Sequence, residues 1–247
     1  MSTENKQVAR IRALLKKAED PGVTPEEAEA YFGKAAELMA IHGIEEAMLA
    51  EAAPETDRLD HRSFDIKGTY IPDRPNLLFA ISHALGAQNV YWRFWDNETG
   101  KHYRRVKIYA HRSTLDRIGM LFTSLQLQAL NGMKKGRPQY GESTTAYRKS
   151  WMAGFSSSVR RRLVQAEEGA LRETAERGGT GAELVLVRRE AAVVAYFKQE
   201  HPKVKTAPRR RLSGTGWRDG RAAGDTVSLG SNQVGGARGK ALPGRNV

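Results

Sequence analysis

The sequence contains no cysteine among its 247 residues. This absence excludes disulfides, thiolate zinc sites and a cysteine nucleophile. No apolar run approaches the roughly 18 residues that a membrane helix needs, and the polar first residues lack the apolar stretch of a signal peptide. The sequence therefore predicts a soluble protein of a reducing, intracellular compartment.

Motifs of known catalytic sites are missing as well. There is no HExxH zinc motif and no Walker phosphate loop, and Gly154-Phe155-Ser156 lacks the second glycine of a serine elbow. None of the six histidines stands at a metal-ligand spacing on one helix, so each is better explained as a packed or surface residue. We therefore predict a non-catalytic protein without metal or cofactor; an unrecognised hydrolase, using for example His83 and His111, is the reading that such a search would miss.

Charge is abundant and unevenly distributed. The formal net charge is +12 and the pI about 10.0, which favours polyanionic partners such as nucleic acid. Residues 1–60 carry 7 basic against 13 acidic residues, residues 61–200 carry 23 against 13, and residues 201–247 carry 10 against 2. An acidic head, a basic body and a basic tail are therefore expected to have different roles.

The head is expected to be helical. Apolar residues recur at helical spacing over residues 3–19. A second helix begins with a capping box at Thr24, Pro25 and Glu27, and His42-Gly43 is expected to end it. A shorter third helix is predicted at residues 44–52.

The body is expected to mix strands and helices, with aromatic and β-branched residues marking a β-hairpin. Its expected elements are a strand at 62–67, a helix at 75–85, hairpin strands at 89–95 and 103–109, a helix at 113–130 capped by Ser113 and Asp116, a loop at 133–143, a long helix at 144–175, a strand at 183–188 and a helix at 189–199. Beyond residue 200, nine of the 24 glycines stand beside few apolar residues, a composition typical of disorder.

Together these patterns predict an α+β fold in four parts. They are an acidic helical domain at residues 1–53, a linker at 54–61, a basic α+β domain at 62–200 and a disordered basic tail at 201–247. The α+β domain combines the β-hairpin with the long helix.

Candidate binding residues cluster on the hairpin and in the tail. Aromatic and arginine side chains are enriched at the centres of protein interfaces, so a partner-binding surface is predicted at Tyr91, Trp92, Arg93 and Trp95. Basic residues near aromatic ones can also bind single-stranded nucleic acid. The DNA-binding candidates are Arg104, Arg105, Lys107, Arg209, Arg210 and Arg211. The alternatives are that the hairpin aromatics pack on the following helix while the charges face water, and that the tail only improves solubility.

Three stretches of the head resemble a family of domains of unknown function that is common in phages and bacteria. They are residues 10–19 (RIRALLKKAE), 24–30 (TPEEAEA) and 34–44 (KAAELMAIHGI). Residues 147–155 (YRKSWMAGF) resemble the less distinctive second domain that usually accompanies this family. The chain as a whole resembles the recombination directionality factors of Streptomyces temperate phages that carry large serine integrases.

The resemblance implies a protein that acts in the cytoplasm of a bacterial host. Such a factor binds a phage serine integrase on DNA, activates excision between the hybrid attachment sites and inhibits integration, while the integrase performs the chemistry. The resemblance supplies no catalytic residues and no contact residues. The alternative function is an early phage nucleic-acid-binding protein, supported by the net charge of +18 over residues 61–247.

Overall fold

The computed structural model describes residues 3–18, 20, 22–68, 73–207 and 211–226. These residues form an α+β fold, as predicted from the sequence. Its elements are, in chain order, α1 (Thr3–Ala18), α2 (Pro25–Ala52), β1 (Leu59–Ile66), α3 (Pro75–Ala84), β2 (Gln88–Asp96), β3 (Lys101–His111), α4 (Arg112–Lys135), α5 (Thr144–Glu176), α6 (Ala182–Glu200) and α7 (Trp217–Thr226).

The head is an antiparallel pair of helices whose turn follows the predicted capping box. The backbone N–H of Glu27 donates to Oγ1 of Thr24 at 3.2 Å, and the backbone N–H of Thr24 donates to Oε2 of Glu27 at 2.9 Å. The pair satisfies two backbone donors that the first turn of a helix leaves free. Ile11 of α1 and Met39 of α2 are buried in the same core as the body, so the head packs on the body, while the predicted domain boundaries stay predictions.

The sheet has three antiparallel strands in the order β1-β3-β2. One face of the central strand β3 is buried. It carries Val106, Ile108 and Ala110, and the side chains between them point to the other face. These residues share one core with Leu78 of α3 and Ile118 of α4. The opposite face of the sheet is covered only in part, where α6 contacts β2 and β3.

The long helix α5 is buried along one side. The buried stripe consists of residues spaced by four: Tyr147, Trp151, Phe155, Val159 and Leu163. A spacing of four rotates slowly around a helix with 3.6 residues per turn. The stripe therefore meets several partners in turn, and α5 contacts α2, α3, α4, α6 and α7.

Three local predictions are wrong. Helix α2 continues through Gly43 to Ala52 as one helix of 28 residues; the glycine makes room for Arg117, whose Nη1 would lie 2.3 Å from an added Cβ. Helix α4 passes Gly132 and ends at Lys135, because Met133 continues its buried stripe. The expected strand at 183–188 belongs to α6, whose buried residues Ala182, Val193 and Phe197 recur at helical spacing.

The start of α4 is capped differently from the expectation. Neither Ser113 nor Asp116 caps the helix through its side chain. Instead the buried carboxylate of Asp57 accepts hydrogen bonds from the backbone N–H of Ser113 at 2.9 Å and from its hydroxyl at 2.7 Å, and it pairs with Arg189 of α6. Asp57 thus links the segment between α2 and β1 to helices α4 and α6.

The prediction of disorder for the whole segment 201–247 is also wrong. Residues 217–226 of it form α7, which lies on α5. The close approach depends on glycine: a Cβ at Gly220 would lie 1.9 Å from the carbonyl oxygen of Trp151, and one at Gly154 would lie 2.1 Å from that of Trp217. Residues 227–247 fall outside the described part of the chain.

Candidate partner-binding surface of the hairpin

The hairpin of β2 and β3 is held in register by its turn. Asp96 pairs with Lys101 across the strands, and Gly100 takes a positive φ of 61° that favours glycine. One carboxylate oxygen of Asp96 accepts from the backbone N–H groups of Glu98 at 3.1 Å and Thr99 at 3.4 Å. Hydrogen bonds between the Asp96 side chain and the turn's own backbone therefore stabilise the turn.

Burial divides the hairpin into a base and a tip. The base pairs residues 88–91 with residues 106–109, and Val106, Ile108 and Tyr109 there are fully buried. In the tip, which we define as residues 92–103, four successive residues of β2 are exposed, so both faces of the strand meet solvent. Trp92 is 36%, Phe94 38% and Trp95 55% exposed. A large apolar area thus stands at the surface, where such patches mark interaction sites.

Strand alternation separates the predicted partner-binding residues into two sets. Tyr91, Arg93 and Trp95 point to the face of the sheet that carries Val106 and Ile108, whereas Trp92 points to the opposite face. The predicted DNA-binding residues divide in the same way. Arg104 lies on the first face, and Arg105 and Lys107 lie on the second.

On the second face, an arginine is fixed over two stacked rings. Phe94 and Tyr103 stack with their centroids 5.4 Å apart, and the guanidinium of Arg105 lies 5.4 Å from the Phe94 centroid. Both oxygens of Asp65 accept from Arg105, at 2.6 and 2.8 Å. This hydrogen-bonded pairing lowers the pKa of Asp65 and raises that of Arg105. Asp65 therefore holds the cation in place and offsets part of its charge.

Lys107 differs from Arg105 in having no carboxylate partner among the described residues. Its Nζ lies 5.2 Å from the ring centroid of Tyr109. Lys67, which follows β1, pairs with Asp96 at 3.0 Å and lies 5.1 Å from the Tyr103 ring. The second face therefore combines aromatic rings with cations that are only partly neutralised.

On the first face, the aromatic side chains belong to two environments. Tyr91 is half-buried against Phe79 of α3, with centroids 5.7 Å apart, and the guanidinium of Arg104 lies 5.0 Å from its ring. The ring of Trp95 packs edge-to-face with that of His102, with centroids 4.8 Å apart, within the tip itself. The alternative to partner binding was that the aromatic residues pack on the helix after the hairpin. Tyr91 does pack on a helix, although on α3 and not on α4, whereas the exposed Trp95 does not fit this alternative.

The end of α6 supports the second face in a way that the sequence did not reveal. His201 lies next to Tyr109, with Nε2 2.6 Å from the tyrosine hydroxyl, and its ring is 5.6 Å from that of Trp92. Phe197, one turn earlier, packs on Tyr109 at 5.4 Å. The spacing of four between Phe197 and His201 was the available signal, but His201 fell in the segment predicted to be disordered. Phe94 and Tyr103 were likewise missing from the predicted site.

The remaining candidates lie away from the hairpin or outside the described residues. Arg209 and Arg210 are not described, and Arg211 is exposed just before the segment that docks on α5. His83 is exposed and His111 is half-buried, and partial removal from water lowers the pKa of each. Within the described residues, no group of three or more histidine, aspartate or glutamate side chains is placed to hold a metal ion.

Comparison with known proteins reaches only the head. The family described as a protein of unknown function (DUF2786) matches residues 6–46, which cover most of α1 and the first part of α2. This match confirms the resemblance of the head to a domain family of unknown function. No curated protein and no solved structure matches the chain. No helix in the described ranges is long and apolar enough to cross a membrane.

Proposed function

We propose that this protein is a non-catalytic recombination directionality factor. In this proposal it binds a phage serine integrase on DNA in the cytoplasm of the bacterial host, activates excision between hybrid attachment sites and inhibits integration. The resemblance of the whole chain to such factors motivates the function. The exposed tip of the hairpin supports it by offering a surface for a protein partner.

The observation that carries the proposal is the exposure of Trp92, Phe94 and Trp95 together with Arg93. Tryptophan and arginine contribute disproportionately to binding when a partner covers them. Their display on both faces of a two-stranded projection suits insertion into a groove of a larger protein. Stable folding does not require the display, because the sheet core lies at the base of the hairpin.

A binder of this kind directs recombination by shifting a conformational equilibrium. If the protein binds the excision-competent arrangement of the integrase more tightly than the integration-competent one, it shifts the populations by that difference in affinity. A difference of about 2–3 kcal/mol changes the ratio by about 30- to 150-fold, which is a usual strength of allosteric coupling. No catalytic group of its own is needed for this effect.

The test combines a recombination assay with a hairpin variant. Wild-type protein is expected to increase the excision product of a serine integrase on hybrid sites, and the double variant Trp92→Ala, Trp95→Ala is expected to bind the integrase at least about 10-fold more weakly. Tyr140→Ala is the matched control, since Tyr140 is a fully exposed aromatic in the loop before α5. An unchanged product distribution with wild-type protein would refute the function. Unchanged affinity of the folded double variant would exclude the tip as the contact.

A second candidate function is nucleic-acid binding through the second face of the hairpin. Arg105 lies over the stacked rings of Phe94 and Tyr103 there, and Lys107 lies over Tyr109 further along the same face. This arrangement can hold bases and phosphates of a single strand. Binding to single-stranded DNA that weakens with salt, and that Arg105→Gln with Lys107→Gln abolishes, would favour it. Arg104→Gln on the first face is the control and is expected to have little effect.

A further inference from the structure

A cleft of about 700 Å³ lies between the head and the body. Its walls come from α1, α2, β1 and α4, which meet side by side there. This volume is within the range of about 300–1,000 Å³ that is typical of small-molecule sites. The cleft is separate from the hairpin tip, and none of the residues proposed for partner binding lines it.

The walls of the cleft combine apolar with polar and charged side chains. Its apolar lining comes from all four elements: Val8, Ile11, Leu15, Met39, Phe64 and Met120. Ile11 and Met39 are buried in the main core, which fixes the floor of the cleft. An apolar body of a ligand would find complementary surface along this floor and gain from its removal from water.

Positive charge predominates around these walls. Four cationic residues line the cleft against two carboxylates, Glu46 and Asp116. Asp116 is already paired with Arg62 at 2.6 Å. Arg12 and Lys16, one turn apart on α1, are exposed and make no ion pair with a described residue. The cleft therefore favours an anion over a cation of the same shape.

Two buried polar atoms of the lining have no hydrogen-bond partner among the described residues. They are Nε of Arg117 and Nε2 of His42. The Arg117 guanidinium pairs with Glu167 through Nη2, and the His42 ring nitrogen lies 3.3 Å from Oε1 of Glu46 without hydrogen-bond geometry. Both residues line the cleft, and Nη1 of Arg117 lies against Gly43, the residue that follows His42 on α2. Buried polar atoms left without partners are uncommon and call for an explanation.

We propose that the cleft binds a small amphipathic anion. Its apolar body lies along α1, β1 and α4, and its anionic group accepts hydrogen bonds from Arg117 and His42. Arg12 and Lys16 at the mouth attract the charge. The proposal does not depend on the directionality function, because it concerns other residues and is tested without integrase or DNA.

Binding is measured by calorimetry on the full chain with three probes of equal chain length: decanoate, decyl phosphate and decyltrimethylammonium. Both anions are expected to bind at one saturable site at least about 10-fold more tightly than the cation. The ratio between decanoate and decyl phosphate tells whether a carboxylate or a phosphate head fits better. Equal binding of all three probes, or no saturable binding of either anion, would overturn the proposal.

Two variants locate the site. Met120→Trp fills the cleft and is expected to weaken decanoate binding at least 10-fold, whereas Leu127→Trp on the exposed side of α4 is the matched control. The double variant Arg12→Gln, Lys16→Gln is expected to weaken decanoate binding severalfold. Its matched control is Lys6→Gln with Arg10→Gln, on the same helix but outside the cleft. Thermal unfolding confirms that each variant is folded. If Met120→Trp does not fold, the double variant Arg12→Gln, Lys16→Gln serves as the test. Unchanged decanoate affinity of that double variant would refute the site.

Discussion

Residues 92–95 of the hairpin tip are three aromatic residues and one arginine, and all four are exposed. Helix α7 has one aromatic among ten mostly polar or small residues, and yet it lies closely on α5. Apolar content alone therefore does not decide which of the two segments docks on the rest of the chain. What differs is the fit to a neighbour: α7 lies along a complementary surface of α5, whereas the tip meets other elements through a few side chains, such as Trp92 next to His201 and Asp96 paired with Lys67.

Close backbone approach and paired polar groups hold α7 in place. Gly216, Gly220 and Gly224 meet α5 at successive turns, where a Cβ would lie 2.8 Å or less from a backbone oxygen. The hydroxyl of Tyr147 donates to Asp219 at 2.5 Å, and Asp225 accepts from Ser158 and Arg161. Dispersion contacts between closely packed backbones then replace the large side chains that usually cover a helix.

The largest effect is expected from Gly220→Val. Its Cβ would meet the Trp151 carbonyl at 1.9 Å, and since neither backbone can yield, we expect α7 to leave α5. Overpacking of this kind lowers the free energy of unfolding by about 3 kcal/mol. Urea unfolding measures the loss, with Ala222→Val on the exposed side of α7 as control. Equal stability of the two variants would show that the packing of α7 on α5 adds nothing to the free energy of unfolding.

A smaller effect is expected at high pH. Burial and the hydrogen bond to Asp219 raise the pKa of Tyr147 from 10.0 to about 12. Because the pKa is higher in the folded state, the stabilisation is complete below about pH 10 and is lost as the pH rises through about 12. The protection of α7 amides, measured relative to the intrinsic exchange rate at each pH, is expected to fall over this interval.

Tyr147→Phe tests the same contact at neutral pH. It removes the donor to Asp219 and is expected to cost about 1–2 kcal/mol of unfolding free energy. The variant is also expected to lose most of the alkaline change in α7 exchange. If wild type and variant respond alike between pH 10 and 12, another group controls the docking of α7.

The smallest effect on stability is expected from Trp95→Ala in the tip. Trp95 is 55% exposed and packs on His102 across the strands, and such a cross-strand pair contributes less than about 1 kcal/mol. Urea unfolding at neutral pH measures this change. A loss as large as that of Gly220→Val would mean that the tip is part of the folded core, and would remove the contrast between the two segments.

Sequence reasoning succeeded where local patterns carry the information. The aromatic and β-branched residues at 89–95 and 103–109 predicted the hairpin, and the long helix predicted at 144–175 is α5. Exposure of the tip could not be derived in this way, because it depends on where α3 and α4 end beneath the sheet. The pairing of Arg105 with Asp65 joins residues 40 positions apart, which no local pattern indicates.

The same reasoning failed where glycine has more than one meaning. Gly43 and Gly132 were taken as helix ends, although both lie inside helices opposite large side chains. The glycines at 216, 220 and 224 were taken as signs of disorder. Their regular spacing of four was the available signal of close helix packing, and a glycine count conceals it. The unpartnered nitrogens of the cleft depend on three-dimensional packing and have no counterpart in the sequence.

Because α7 is made after α5, helix α5 gains its last packing partner late in synthesis. Helix α5 ends 50 residues before α7 does, an interval of roughly 2–10 s at about 5–20 residues per second. During that time the backbone at Trp151 and the hydroxyl of Tyr147 lack their final partners. A nascent chain of this protein therefore presents an unfinished helix to chaperones and to other nascent chains until residue 226 has been made.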